Sequence, residues 1–155
     1  MRAVKLLRVL AILVAIMVVS YSFAGDVVTF RPDQHTKAAL HIDGNRLLYD
    51  VKTADGRVSG SIDTQTDKLV HIQIGDYEFN GGKGFSFWSI DEGMGVYKIY
   101  RVFTLSKKTG DFVERLPDCG DGFINLRIDR VRRRLLSTYF VDNEAKTCVT
   151  RLLPQ

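Results

Sequence analysis

An acidic turn near the middle of the chain has the residue types and spacing of a metal-binding loop. Asp76, Glu78 and Asn80 occupy alternate positions, and a glycine follows them. This is the front half of a calcium loop, in which oxygen side chains converge and glycine allows the sharp bend. The second half departs from the pattern, because Gly84 stands at position 9 and Phe87 at position 12. Two interpretations stay open: a weak or vestigial calcium site, and an acidic surface turn capped by glycines.

The sequence shows no recognisable catalytic motif. It contains no nucleophile elbow, no His-x-x-x-His pair and no glycine loop leading into a helix. Several aspartates fall in predicted turns, where the side chain bonds its own backbone and needs no catalytic explanation. The three histidines, His35, His41 and His71, are scattered along the chain. The sequence therefore predicts a protein that is not an enzyme.

Three other residues are candidates for contact with a protein partner. Arg132 and Arg134 share one face of a strand predicted over residues 131–141. Such a run indicates either a charged edge strand that resists edge pairing or an electrostatic landing site for an acidic partner. Trp88, the single tryptophan, lies in an aromatic run that predicts either core packing or an exposed hot spot.

The first 24 residues have the pattern of a secretory signal peptide. Arg2, Lys5 and Arg8 precede an apolar run over residues 9–19, and residues 22–24 (Ser-Phe-Ala) offer a cleavage site after Ala24. The apolar run is short for a membrane span of about 20 residues, although an uncleaved N-terminal anchor is the alternative. Cleavage would leave one domain, residues 25–155, with no stable membrane anchor and a periplasmic or secreted location.

The two cysteines fit an exported chain. Cys119 and Cys148 are the only pair, and an even pair outside the cytosol predicts one disulfide, worth about 3 to 4 kcal/mol in the chain-entropy model. Three of the 22 Lys and Arg residues and none of the 18 Asp and Glu residues lie in the leader, so the mature chain has 19 basic and 18 acidic residues. A net charge of +1 does not indicate a nucleic-acid partner.

The chain after the leader has the periodicity of β-strands. Residues 57–62 and 68–74 alternate apolar and polar side chains, and residues 123–128 are predicted to place Ile124, Leu126 and Ile128 on one face. Asp43-Gly44 and Asp55-Gly56 are turn signals on either side of a strand predicted over residues 46–52. Such turn signals recur about every ten residues, and no helical period follows the leader. Residues 25–37, which contain Pro32, are predicted to be a lead-in without a strand. These patterns predict an all-β domain of antiparallel strands and hairpins, either propeller-blade-like or a sandwich, after a cleaved N-terminal signal helix.

Four segments carry a resemblance to a known family. They read IQIGDYEFNGG, DEGMGVYKIYRVFTL, KKTGDFVERL and INLRIDRVRRRLLSTYF, within residues 68–140. The chain resembles small periplasmic β-propeller-like proteins that act as immunity factors or lysozyme inhibitors for bacterial secretion-system toxins. In that resemblance Asp76, Glu78 and Asn80 fall on metal-ligand positions, and Gly84 replaces the usual Asp.

The resemblance implies a non-catalytic periplasmic protein that binds and inhibits a cell-wall hydrolase or secreted toxin. The alternative is a calcium-responsive structural or binding module of the cell envelope. Calcium is the only cofactor that either hypothesis involves.

Overall fold

The computed structural model describes residues 26–93 and 95–154, and this part of the chain is all β. The predicted leader, residues 1–24, lies outside the described residues. The strands are β1 (Val28–Phe30), β2 (Lys37–Asp43), β3 (Arg46–Lys52), β4 (Arg57–Asp63), β5 (His71–Gly75), β6 (Gly84–Ile90), β7 (Lys98–Leu105), β8 (Phe112–Arg115), β9 (Phe123–Asp129), β10 (Arg134–Val141) and β11 (Glu144–Thr150). No helix long and apolar enough to cross a membrane occurs among these residues.

The first sheet has four antiparallel strands in the order β1-β2-β3-β4. The Asp-Gly turn signals separate these strands as predicted, and β3 has the predicted bounds. The predicted lead-in is wrong for Val28–Phe30, which pairs with β2. Phe30 packs 6.1 Å from the Phe112 ring. A contact so distant along the chain explains why a three-residue segment forms a strand.

The second sheet has seven strands in the order β11-β10-β9-β7-β6-β5, with β8 paired to β7. The predicted alternation in β9 is wrong, because the pairing of β9 with β10 shifts register around Asn125, which has a φ of 50°. The resulting bulge puts Phe123, rather than Ile124, on the same side as Leu126 and Ile128. An extra residue in one strand reverses the facing of every residue beyond it.

The two sheets pack against each other as a sandwich that is not closed within the described residues. The core between them holds Ala38, Leu40, Leu47 and Val51 from the first sheet and Phe85, Phe87, Phe103 and Phe112 from the second. The rings of Phe85 and Phe103 stack with centroids 4.9 Å apart. Aromatic pairs between neighbouring strands of the second sheet therefore form much of the interior, which is the core-packing alternative for Phe85 and Phe87 of the aromatic run.

A second core covers the opposite face of the seven-stranded sheet. Tyr100 and Val102 of β7 point into it together with Phe123, Leu135 and Tyr77. β7 is therefore buried on both faces, because its alternate residue Phe103 belongs to the first core. This central strand pairs with β6, β8 and β9.

The predicted disulfide is present. Cys119 and Cys148 are bonded, with Cα atoms 5.8 Å apart, within the usual range for disulfides. The bond ties the loop after β8 to the edge strand β11 and is compatible with an oxidising, extracytoplasmic location.

Candidate functional site

The acidic turn, residues 76–83, joins β5 to β6 and is held by its own hydrogen bonds. The two carboxylate oxygens of Asp76 accept the backbone N–H groups of Asn80 (3.2 Å) and Gly81 (2.9 Å). The side-chain oxygen of Asn80 accepts the N–H of Gly82 at 2.8 Å. Two of the three predicted ligands therefore direct oxygen atoms at the backbone of the turn.

Glu78 forms a buried ion pair with Arg115 of β8. The two side chains are 8% and 10% exposed. Glu78 Oε1, which bonds Arg115 Nη1, also accepts the Thr104 hydroxyl at 2.8 Å, and Oε2 accepts the Asn80 side-chain amide at 3.0 Å. Arg115 Nη2 donates to the carbonyl of Leu153 at 2.8 Å. Arg115 thereby links the acidic turn to β8 and to the C-terminal segment.

As arranged, this donor set does not fit a calcium ion. The Asp76 carboxylate accepts backbone N–H groups, and the Glu78 carboxylate pairs with the guanidinium of Arg115. The two carboxylates therefore do not converge on a common point where an ion could bind. Within the part of the chain that the structure describes, no three His, Cys, Asp or Glu side chains gather as a metal site. A positive charge beside Glu78 would also repel a divalent cation. Arg115 supplies to the turn the positive charge that a bound calcium would supply.

Tyr77 fixes the acidic turn to the second core. Its side chain is 1% exposed; its hydroxyl donates to the Gln73 carbonyl at 3.1 Å and lies 2.8 Å from Ser86 Oγ. Burial raises the pKa of Tyr77 to about 12. The turn is therefore anchored by a buried aromatic ring as well as by the ion pair.

The arginine run forms a hairpin tip rather than part of a strand. The prediction of a strand over residues 131–141 is wrong at its start, because residues 130–133 turn between β9 and β10 and β10 begins at Arg134. Arg133 has a φ of 50°, in the left-handed region used by tight turns. Arg132 and Arg134 therefore do not share a strand face. We call residues 130–133 the arginine hairpin.

Asp129 holds the arginine hairpin in its conformation. Its Oδ1 accepts the backbone N–H of Arg132 at 3.1 Å, and its Oδ2 accepts Arg134 Nε at 2.9 Å. These contacts, the backbone hydrogen bond first, lower the pKa of Asp129 from its usual value. Arg132 reaches solvent with a side chain 68% exposed, whereas Arg134 is 25% exposed and turned to Asp129. Arg132 Nη1 lies 3.6 Å from Asp129 Oδ2, but most of the Arg132 side chain remains accessible to solvent, whereas Arg134 positions the hairpin.

The arginine hairpin contacts the acidic turn. The Arg133 guanidinium donates to the carbonyl oxygen of Phe79, 54 residues earlier in the chain. No local pattern in the sequence indicates this contact, because it depends on the order in which the strands pair within the sheet. Two features that the sequence presents as separate candidates therefore form one surface.

Trp88, the third partner candidate, is a half-buried member of the second sheet. The His71 ring stacks on it with centroids 4.1 Å apart, and Lys98 Nζ lies 4.2 Å from the ring centroid. These neighbours cover ring surface that a partner would need. The geometry places Trp88 in cross-strand packing, and Arg132 is more exposed than Trp88.

An open cleft of ≈ 590 Å³ lies beside the acidic turn. The loop between β1 and β2 forms part of its wall. A backbone hydrogen bond from Lys83 N–H to the Pro32 carbonyl, at 2.8 Å, joins this loop to the acidic turn. Three cationic side chains, Arg31, Lys83 and Lys107, line it. Sequence reasoning missed this cleft, because these cations come from three separate loops.

Comparison with known proteins leaves the site to be interpreted from its own geometry. No family model matches the chain, and no curated protein or solved structure matches it.

Proposed function

We propose that this chain is an exported, non-catalytic inhibitor or immunity-type protein that binds a cell-wall hydrolase or secreted toxin. The observation that carries the proposal is the arginine hairpin. Val131 at its tip is 92% exposed, and Arg130 and Arg132 beside it are exposed as well. An apolar tip flanked by cations has the composition of a contact for an acidic, partly apolar cleft.

The hairpin is organised before a partner arrives. Asp129 bonds both the backbone and the side chain of neighbouring arginines, and Arg133 bonds the acidic turn. A loop held in this way loses little conformational entropy on binding, which favours affinity. Its position at the end of two strands of the seven-stranded sheet lets it project from a rigid support.

The chemistry of cell-wall glycosidases supplies a matching partner. These enzymes cleave glycans with a pair of carboxylates in a cleft. A projecting tip with two exposed arginines would be attracted to such a cleft and would block it without undergoing a reaction. The disulfide and the predicted leader support a periplasmic location, where such hydrolases act.

The test measures inhibition with protein purified after expression of the full chain. Lysozyme-type glycosidases are assayed on peptidoglycan with and without the protein. We expect stoichiometric loss of activity of a target enzyme, and we expect Arg130→Glu/Arg132→Glu to weaken inhibition by at least about tenfold.

The matched control reverses the charges of Arg46 and Lys52, two exposed residues at the ends of β3 in the other sheet. The Arg46→Glu/Lys52→Glu double variant changes the net charge by the same amount and should inhibit like the unmodified protein. The proposal is overturned if no hydrolase is inhibited, or if the hairpin variant inhibits as strongly as this control.

A further inference from the structure

We infer that the cleft beside the acidic turn is a binding site for a small ligand that carries two or three oxyanion groups. The inference does not depend on the proposed function, because it rests on other residues. The cleft volume of ≈ 590 Å³ lies within the usual range of small-molecule sites and far exceeds the volume of a single phosphate ion.

The charges that line the cleft favour an anion. Arg31, Lys83 and Lys107 line it, and none of them lies within 4.0 Å of a carboxylate in the described part of the chain. Of the two lining carboxylates, one is neutralised by an ion pair and the other keeps its charge, so three cations face one unpaired carboxylate. Glu78 is paired with Arg115, and Asp33 accepts the backbone N–H of His35 at 2.8 Å.

The three cations are carried by three loops, two of which are joined by a backbone hydrogen bond while the third is closed by its own. The hydrogen bond from Lys83 N–H to Pro32 joins the loop of Arg31 to the acidic turn. Lys107 belongs to the tight turn between β7 and β8, which is closed by the bond from Gly110 N–H to the Ser106 carbonyl at 2.8 Å. The positive charges therefore surround one cavity from three sides, and mutual repulsion is relieved when an anion enters.

The apolar part of the lining limits the chemistry of the ligand. Leu105, Pro32 and Tyr77 also line the cleft, and Gln34 adds a side-chain amide. A ligand with a short carbon skeleton between its oxyanion groups would contact this apolar surface and reach the separate cations. Polycarboxylates and compounds with linked phosphates both meet this description.

The probes are citrate, its neutral trimethyl ester and pyrophosphate, titrated by calorimetry into protein purified after expression of the full chain. We expect citrate or pyrophosphate to bind and trimethyl citrate not to bind. Tighter binding of citrate identifies a carboxylate ligand, and tighter binding of pyrophosphate identifies a phosphate ligand. Raising the salt concentration should weaken the binding, because the cations are solvent-accessible.

Variants locate the bound anion. Lys83→Gln should weaken binding about tenfold, because it removes one charge-assisted contact. Lys146→Gln in β11 makes the same charge change at an exposed residue that does not line the cleft and should leave affinity unchanged. Arg132→Gln in the arginine hairpin should also leave it unchanged, which separates this site from the partner contact.

The inference is overturned if neither citrate nor pyrophosphate binds, or if the neutral ester binds as tightly as citrate while pyrophosphate fails to bind. It is also overturned if Lys146→Gln lowers affinity as much as Lys83→Gln, because binding would then follow net charge alone. Circular dichroism and thermal unfolding of each variant show whether a loss of binding reflects a loss of the fold.

Discussion

Arg115 in β8 and Glu78 in the acidic turn form a buried ion pair, although 37 residues separate them. Both side chains are almost inaccessible to water, and the Thr104 hydroxyl bonds the same carboxylate oxygen at 2.8 Å. A buried ion pair of this kind adds little stability compared with an apolar pair. Removing only one of its partners, however, strongly lowers the free energy of unfolding, because the other charge is left buried and unpaired. Glu78 belongs to the acidic turn that the arginine hairpin contacts, and it also lines the cleft beside that turn.

The first prediction concerns the ion pair. Arg115→Met should lower the free energy of unfolding by about 3 kcal/mol, because Glu78 is left buried without a cation. Adding Glu78→Gln should recover part of that loss, since the uncompensated charge is gone. Urea denaturation measures both effects. Glu114→Gln is the control, because its pair with Arg101 is more exposed and should cost about 1 kcal/mol or less. An equal loss for the two pairs would contradict the role assigned to Arg115.

The second prediction concerns metal removal. EDTA should leave the melting temperature unchanged, and calcium should not raise it, because the carboxylates of Asp76 and Glu78 are already engaged. Differential scanning calorimetry measures the shift, with magnesium as the control cation. A rise in melting temperature specific to calcium would show that Arg115 releases Glu78, and would favour the hypothesis of a calcium-responsive module.

The third prediction concerns alkaline pH. Burial, and then the hydrogen bond to Asp111 at 2.7 Å, raise the pKa of Tyr49 to about 12. The unfolded chain releases this proton near pH 10, whereas the folded chain retains it until about pH 12. The unfolded state thus binds fewer protons between these values, so stability falls as pH rises from 10 to 12.

Urea midpoints at pH 8, 10 and 11 test this dependence. Tyr49→Phe should reduce the alkaline loss of stability, because the titrating hydroxyl is removed. The same variant at pH 8 shows what the hydrogen bond contributes without titration. If the unmodified protein and Tyr49→Phe lose stability in parallel above pH 10, the assignment to Tyr49 is incorrect.

The fourth prediction concerns the close approach of β6 to β7. A Cβ atom at Gly84 would lie 2.2 Å from the backbone oxygen of Phe103. A backbone atom within a sheet cannot move out of the way as the end of a flexible side chain could. Gly84→Ala should therefore destabilise the fold by about 2 to 3 kcal/mol. Gly56→Ala is the control, since nothing lies within 4 Å of its Cβ position, and it should change stability by about 0.5 kcal/mol or less. Equal stability of the two variants would contradict the strand geometry.

Gly84 also shows why a sequence motif can have a different explanation in three dimensions. At position 9 of a calcium loop, glycine looks like a missing ligand. In the structure it is the first residue of β6, where any side chain would meet β7. The requirement is steric and comes from a neighbouring strand about 20 residues later in the chain, so loop position alone could not reveal it.

Short-range physics allowed much of the fold to be predicted from the sequence alone. Period-two alternation and Asp-Gly turns depend on neighbouring residues, so β3 and β4 and the all-β class could be predicted directly. The pairing of Cys119 with Cys148 followed from there being only two cysteines. The bulge at Asn125 was not predictable in this way, because it depends on how β9 meets β10.

Tertiary structure decided what the candidate residues contact. Whether Glu78 binds a metal or an arginine depends on β8 lying beside the acidic turn, and whether Arg132 is exposed depends on where β10 begins. The cations of the cleft come from three loops that only the packed sheets bring together. Periodicity in the sequence indicates which face of a strand a residue occupies. It does not indicate which distant residues come into contact, and ion pairs and ligand sites depend on those contacts.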